Sequence, residues 1–402
     1  MSQTRTNFAA MLPNQIKVWS RDVWKVARDN SFVMQFASTD INSPIYRVTE
    51  LTKTTRGDKA VVPLVTDLEG DGVTGDFQLE DHEEPLRAYE EEIHIDQLRH
   101  ANRNTGRMAD QKTIINFREQ SRDKLGYWLG NRIDQLGMLT LAGLDYRLRN
   151  DGRIRQGWEH DGSDWGRVEV GGQVTKPEGY TLHDLKFAGD VTAPTANRYY
   201  RWDGTTKRLV TPDTTALVTA DTPSYEMLVN TKAQMVTNYI RGVKTGKGGE
   251  VYHVFMHPKA LAKLKLDSDF LANTRHAAPR GKSNTVWSGA IETVDGLIIH
   301  EHRLVPNTLG ATLGTAAGHA ARPGYKWGAN GAVDGSSMLF LGAQALGLCT
   351  LGTPNWEEEK FDYKNQLGIA IDQIFGLRKP KFHTIYNNSV EDFGVVRVDV
   401  AI

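Results

Sequence analysis

The sequence predicts an α+β fold, and three observations lead to it. One helical-period apolar stripe persists for tens of residues, β-prone runs are dispersed on both sides of it, and 38 glycines supply more turns than a helix bundle uses. At 402 residues the chain is long enough for two or three domains with cores of their own, at about 150 residues each. Lys and Arg number 48 against 49 for Asp and Glu, so there is no global attraction to polyanions and any contact with nucleic acid must rest on local charge. The single cysteine, Cys349, excludes an intrachain disulfide and a multi-thiolate metal site. The opening residues lack the basic-then-apolar order of a signal peptide and no apolar run reaches the length of a membrane span, so the chain is expected to be soluble, not secreted and without membrane partners.

Residues 1–48 scatter Ile16, Val18, Trp19, Val23, Trp24, Val26, Phe32, Val33 and Phe36 through polar sequence. Such clusters need a covering surface. Two readings are open: a first helix packed on its own domain, or an arm lying on a neighbouring subunit. Residues 50–66 are β-prone through Val61, Val62, Leu64 and Val65, and Pro63 suits an edge strand. A strongly acidic stretch punctuated by Gly70, Gly72 and Gly75 follows, and Tyr89 to Ile95 resumes the strand pattern. Together they predict a long hairpin, too polar to stand without another surface, which either grips a second subunit or is merely solvated.

Residues 110–146 place Ile114, Phe117, Leu125, Trp128, Leu129, Ile133, Leu136, Leu139 and Leu144 mostly on one helical face. Asp110 is the expected cap, and Gly126, Gly130 and Gly137 are the expected sites of any bend. Residues 147–222 are turn-rich and aromatic, which fits a small β-rich subdomain or ordinary sheet with long loops. A second helix is expected at 223–241 with Pro223 in its first turn, then a strand at 251–256, a helix opened by Pro258, and a strand from Leu297 to His300. Residues 307–336 read as a long loop, Met338 to Cys349 as buried strand or short helix, and the chain closes on the strand-like Val395 to Val400.

No catalytic set is complete. Gly242 to Lys247 falls one residue short of a phosphate-cradling loop, and Gly248 stands where the magnesium-binding hydroxyl belongs. His300 and His302 share one strand face, and His253 and His257 flank another strand's end, without an HExxH or a further ligand set. Asp67, Glu69, Asp71 and Gly72 approach a calcium loop whose closing carboxylate is replaced by Gln78. Cys349 lies in an apolar run, where a thiol usually packs inertly. The carboxylates at Glu90 to Glu92 and Glu357 to Glu359 show only sequence adjacency, which does not split their pKa values. Arg147, Arg149, Arg153 and Arg155 bracket one turn and Arg378, Lys379 and Lys381 form a second basic patch, without the interleaved aromatics of a nucleic-acid module. Complementary contacts between copies are credible because these segments coexist with an acidic hairpin in a neutral chain.

The order of these pieces resembles the major capsid proteins of tailed bacteriophages. The resemblance runs through the polar arm, the acidic hairpin at 50–105, the helix at 110–146, HPKALAKL at 257–264, GLIIHEHRLVP at 296–306 and LFLGAQALGL at 339–348. It is similar to the branch typified by the coat protein of coliphage N-four, within the Hong Kong 97-type fold. That resemblance implies an N-terminal arm at 1–48, an extended loop at 49–107, and a peripheral domain at 108–222 with a spine helix and a possible β-rich insertion. An axial domain at 223–350 and a return to the peripheral domain at 351–402 complete it. It implies a non-enzymatic subunit that self-assembles through hexamers and pentamers into an icosahedral head around double-stranded DNA. Scaffolding, portal and possible decoration proteins would be its partners, assembly would occur in the host cytoplasm, and no cofactor or metal is expected. On this reading the expected interface residues are Trp19 and Trp24 on the arm, Tyr89, Glu91 and Ile93 on the extended loop, and Arg147 with Arg149 beyond the helix. The rivals are a tail or baseplate protein and, if His300, His302 and a distant acid converge in a pocket, a metal-dependent hydrolase.

Overall fold

A computed structural model describes residues 22, 24–28, 30–49, 57–65, 71–83, 88–112, 116–245, 249–277, 292–315, 319–384 and 389–402. The expected long helix is present as Phe117–Ala142, 26 residues and about 39 Å long at 1.5 Å per residue, preceded by the short helix Arg107–Lys112. Its cap is Asn116, whose side chain accepts from the Arg118 N–H, and not Asp110, which lies within the short helix. Gly143, at φ 66°, ends it with an N–H shared between the carbonyls of Leu139 and Thr140. Gly126, Gly130 and Gly137 interrupt nothing. At Gly130 the missing Cβ makes room for another segment: it would lie 2.6 Å from the Ala27 carbonyl oxygen.

That approach decides the fate of the N-terminal segment. Trp24, Ala27 and Val33 are buried in the same core cluster as Leu129, Ile133 and Leu136 of the helix. The Asp134 carboxylate accepts from Ser31 Oγ (2.6 Å) and from the N–H groups of Phe32 and Val33 (both 2.9 Å). Burial pushes its pKa up, opposed by those hydrogen bonds. From Trp24 onward the expected arm therefore belongs to the subunit's own body. Of the two readings of the tryptophans, own-core packing holds for Trp24, while Trp19 lies outside the described residues.

Among the described residues the strands form two large sheets. One has six strands, with Ala37–Ser38, Ile45–Val48, Leu346–Thr350, Gln366–Arg378 and Asn355–Phe361 in order, and Asp96–Arg103 also pairing with Gln366–Arg378. The other has eight: Arg208–Val210, Tyr199–Asp203, Val395–Ala401, Gly335–Leu341, Glu250–Met256, Leu297–Glu301 and Glu292–Val294, with Val243–Lys244 on Glu250–Met256. The long helix is packed between residues of both, because its cluster includes Ile369, Phe375 and Leu377 of the first sheet and Phe255, Leu339 and Val395 of the second. Its last two turns are buried all round, from Leu136 to Ala142, so the amphipathic stripe gives way to a fully enclosed end. The second sheet's other face is covered by Met227, Leu228 and Met235 of the helix Tyr225–Thr237 and by Leu261 and Leu264 of Pro258–Leu266.

Each large sheet draws its strands from widely separated stretches of the chain. Residues 199–210 and 395–401 join the sheet of Glu250–Met256, whereas Leu346–Thr350 joins the other sheet. The apolar run from Met338 to Cys349 is split by a turn in which Gly342 N–H donates to Gly394 O (2.7 Å) and Gln344 takes φ 52°. Its two halves thus enter different sheets, a choice of partner that apolarity alone does not encode. No helix among the described residues is long and apolar enough to cross a membrane.

Candidate intersubunit interface

The hairpin pairs Lys59–Val65 with Ala88–His94 in antiparallel register, from Lys59 opposite His94 to Val65 opposite Ala88. Pro63 faces Glu90 in a ladder that has only two strands, which is where a residue without an N–H is tolerated. Ala60, Val62, Ile93 and Ile95 are buried with Val48 and Cys349 of the six-stranded sheet. The two surfaces come so close that a Cβ on Gly376 would sit 2.2 Å from the His94 carbonyl oxygen. Asp190 fixes the base by accepting from the His94 N–H (3.0 Å) and pairing with its Nδ1 (2.8 Å).

Strand alternation places Glu91 and Ile93 on one face of the hairpin and Glu92 on the other. Ile93 is buried and Glu91 is ion-paired to Arg378 (2.5 Å), so both residues help to anchor the hairpin to its own subunit. Tyr89 contributes its backbone opposite Leu64, and its side chain lies outside what is described. Glu92 is exposed and bonded to Lys59 (2.6 Å), which lowers the Glu92 pKa and raises that of Lys59.

Beyond this anchored base the tip, residues 71–83, is exposed at every position except the half-buried Val73. Among the described residues its hydrogen bonds stay within itself: His82 N–H to Leu79 O (3.1 Å) and Gln78 Nε2 to Glu80 Oε2 (3.3 Å). Asp71, Asp76, Glu80, Asp81 and Glu83 accompany Phe77 and Leu79, which are 78% and 58% exposed. An acidic tip with exposed apolar side chains, held out from a rigid base, is a surface that lacks a partner within the described chain. Asp67 and Glu69 of the near-calcium loop lie outside the described residues.

The two basic patches are less free than they read. Arg147 stacks on Trp158 and Trp165, bonds to His183 (2.8 Å) and lies 3.6 Å from Asp145, so much of its side chain is engaged within the subunit. Arg153 pairs with Asp151 (3.3 Å), and Arg155 donates to the carbonyls of Tyr146 and Leu148 (both 2.9 Å). Lys379 is wholly buried against Asp392 (2.7 Å), and burial lowers its pKa despite that partner. Arg149 alone of the seven expected residues presents an exposed, described side chain.

The histidines expected as ligands combine differently. Parallel pairing of Glu250–Met256 with Leu297–Glu301 puts His253 and His300 on one sheet face, Nδ1 to Nε2 at 2.9 Å. His302 lies just past the strand and stacks on Phe32, with ring centroids 4.4 Å apart. His257 caps Pro258–Leu266 by accepting from the Lys259 N–H. Among the described residues no group of three or more His, Cys, Asp or Glu could hold a metal ion.

The result is a two-sheet body threaded by a long helix, with a hairpin anchored at its base and, among the described residues, exposed at its tip. Solved structures with this architecture are phage shells. The capsid of Ralstonia phage GP4 superposes with TM-score 0.66 at 24% identity, covering 92% of this chain and 90% of that one. The cyanophage Pam1 capsid does so with TM-score 0.65 at 17% identity, covering 100% and 96%. The family described as phage capsid protein matches residues 7–402. The major capsid protein of Pseudomonas phage KPP25 is 49% identical over 398 residues, 98% of this chain and 97% of that protein. The chain belongs to the phage capsid protein family, has the Hong Kong 97-like fold of tailed-phage capsids, and is a subunit of the head shell of a virion.

Proposed function

We propose that the chain acts without catalysis, as the repeating subunit of an icosahedral head, and that its hairpin tip completes itself on the neighbouring copy in hexamers and pentamers. The observation that supports this reading is the contrast within one element, between a base tied down by Asp190, Ile93 and the Glu91–Arg378 pair and an exposed tip that, among the described residues, bonds only to itself. Anchoring the base lowers the entropic cost of docking, because the strands that carry the tip are already fixed when it meets its partner. Closed symmetry then repeats the same contact at every copy. Arm residues such as Trp19, scaffolding, portal and decoration proteins, packaged double-stranded DNA and assembly in the host cytoplasm belong to the same proposal.

Deleting residues 71–83 tests it. Helix content and the thermal transition of the purified subunit should be preserved, because the tip contributes nothing to the core, while closed particles seen by negative-stain microscopy should be lost. Particles formed in normal yield by the deleted protein would refute a gripping hairpin.

A further inference from the structure

We infer that the acidic tip of one copy is received by an arginine cleft on the next, between the strand Asp96–Arg103, the long helix and the segment around Lys176 to Leu185. This rests on the reading that the hairpin grips a neighbour, and it names the receptor. The cleft encloses about 650 Å³ and is lined by Arg99, Arg132, Arg149, Arg155 and Lys176 against two carboxylates, Asp96 and Asp184. Both carboxylates are already engaged. Asp96 accepts from the N–H groups of Gln97 (2.7 Å) and Lys186 (2.9 Å), and Asp184 pairs with Arg167 (2.5 Å) and accepts from Thr181 (2.6 Å).

Arg99, Arg132, Arg149 and Arg155 line one cleft and, among the described residues, none of them forms an ion pair, although Arg155 donates to the carbonyls of Tyr146 and Leu148. Burial first, then Arg132 and Arg149, pull the Arg155 pKa down to about 10, against the opposing pull of Asp151. Arg132 is lowered too, by burial and then by Arg149. Arg132 bonds to the neutral Gln135, and Arg149 is exposed and forms no ion pair among the described residues. A cluster of like charges at the mouth of a cleft is destabilising in the isolated subunit, and an incoming carboxylate would relieve it.

The apolar lining matches as well. Trp128, stacked on His100 at 4.4 Å, lines the cleft with Leu98, Leu182 and Tyr180, the last 73% exposed. The tip brings Phe77 and Leu79 among its five described carboxylates, so one segment offers both negative charge for the arginines and apolar side chains for the aromatic and leucine lining. Arginines beside aromatic rings are well suited to such a mixed guest.

The test uses assembly and zero-length coupling together. Particles assembled from a mixture of isotopically light and heavy chains are treated with a carbodiimide, which joins a carboxylate to an amine with loss of water. The expected product is a link between a tip carboxylate and Lys176 of a different copy. Arg149→Glu should reduce particle yield by about tenfold or more while leaving the subunit's thermal transition unchanged. Adding Glu80→Lys and Asp81→Lys should restore assembly. If tip carboxylates couple to another site on the neighbour and Arg149→Glu assembles normally, the cleft is overturned and the gripping hairpin stands. If the tip makes no intermolecular link at all, both readings fail. Normal assembly of Arg149→Glu with loss of double-stranded DNA binding in a mobility-shift assay would assign the cleft to nucleic acid and overturn it as a protein receptor.

Discussion

Acid should loosen the contact that ties the Phe32 to Phe36 segment to the eight-stranded sheet. On that face His300 lies edge-on to Phe36 (4.8 Å) and to Phe255 (5.8 Å) and shares a hydrogen bond with His253, while His302 stacks on Phe32. Burial, reinforced by His253, lowers the His300 pKa to about 4, and burial with Arg303 does the same for His302. His253 is lowered by burial as well. In the unfolded chain these rings take up protons near pH 6.5, but in the folded chain His300 and His302 do so only near 4. Between those values the unfolded state binds more protons, so the stability these neutral rings support is present above about pH 6.5 and is lost as the pH falls toward about 4.

A depression from 6.5 to about 4 corresponds to at most about 3 kcal/mol per ring. Partial exposure screens the charge and reduces this to about 1–2 kcal/mol each. The double variant His300→Leu with His302→Leu removes both titrations and keeps the pocket apolar. Urea unfolding followed by tryptophan fluorescence, from about pH 7 to about pH 4.5, should show the native protein losing about 2–4 kcal/mol more than the variant. Carboxylates titrate in both proteins, so the difference isolates the rings. His300→Gln, which keeps a polar partner for His253, should show about half the effect. Parallel stability curves for native protein and variants that are folded at neutral pH would refute the argument.

Two further substitutions probe how the body is held together. Gly130→Ala drives a Cβ toward the Ala27 carbonyl and should cost about 1–3 kcal/mol in urea unfolding, with the helix around Trp24 becoming cleavable in limited proteolysis. Lys379→Met strands the Asp392 carboxylate, whose side chain is 0% exposed, and should lower stability by about 3–5 kcal/mol at neutral pH, read by chemical denaturation.

Local chemistry was legible in the sequence wherever a residue's own backbone demands fix its place. Pro63 marked an edge strand, Pro258 opened a helix, and the apolar period from Phe117 to Leu139 marked the long rod. Long-range partnership was not legible. Nothing in the run from Met338 to Cys349 tells that its halves pair with Val395–Ala401 and Gln366–Arg378 respectively, or that Trp24 is buried on a helix a hundred residues away. The His253–His300 bond likewise depends on two strands lying parallel at one register, which neither strand encodes alone.

The interface residues show the same division at finer grain. Position along the hairpin or just beyond the long helix does not tell which way Glu91, Ile93 and Arg147 point: strand parity turns the first two toward the subunit's own sheet, and Trp158 and Trp165 stack against the third. The density of acids from Asp71 to Glu83 does foretell exposure, since no fold of this size buries so many unpaired carboxylates in one loop. Arg149 differs from Arg147 by two positions in sequence and by everything in surroundings, with other guanidiniums nearby and no acid paired to it among the described residues. A charge that the fold leaves uncompensated on one side of a neutral chain, matched by opposite charge left uncompensated on another, is how a single sequence specifies a contact made only between copies.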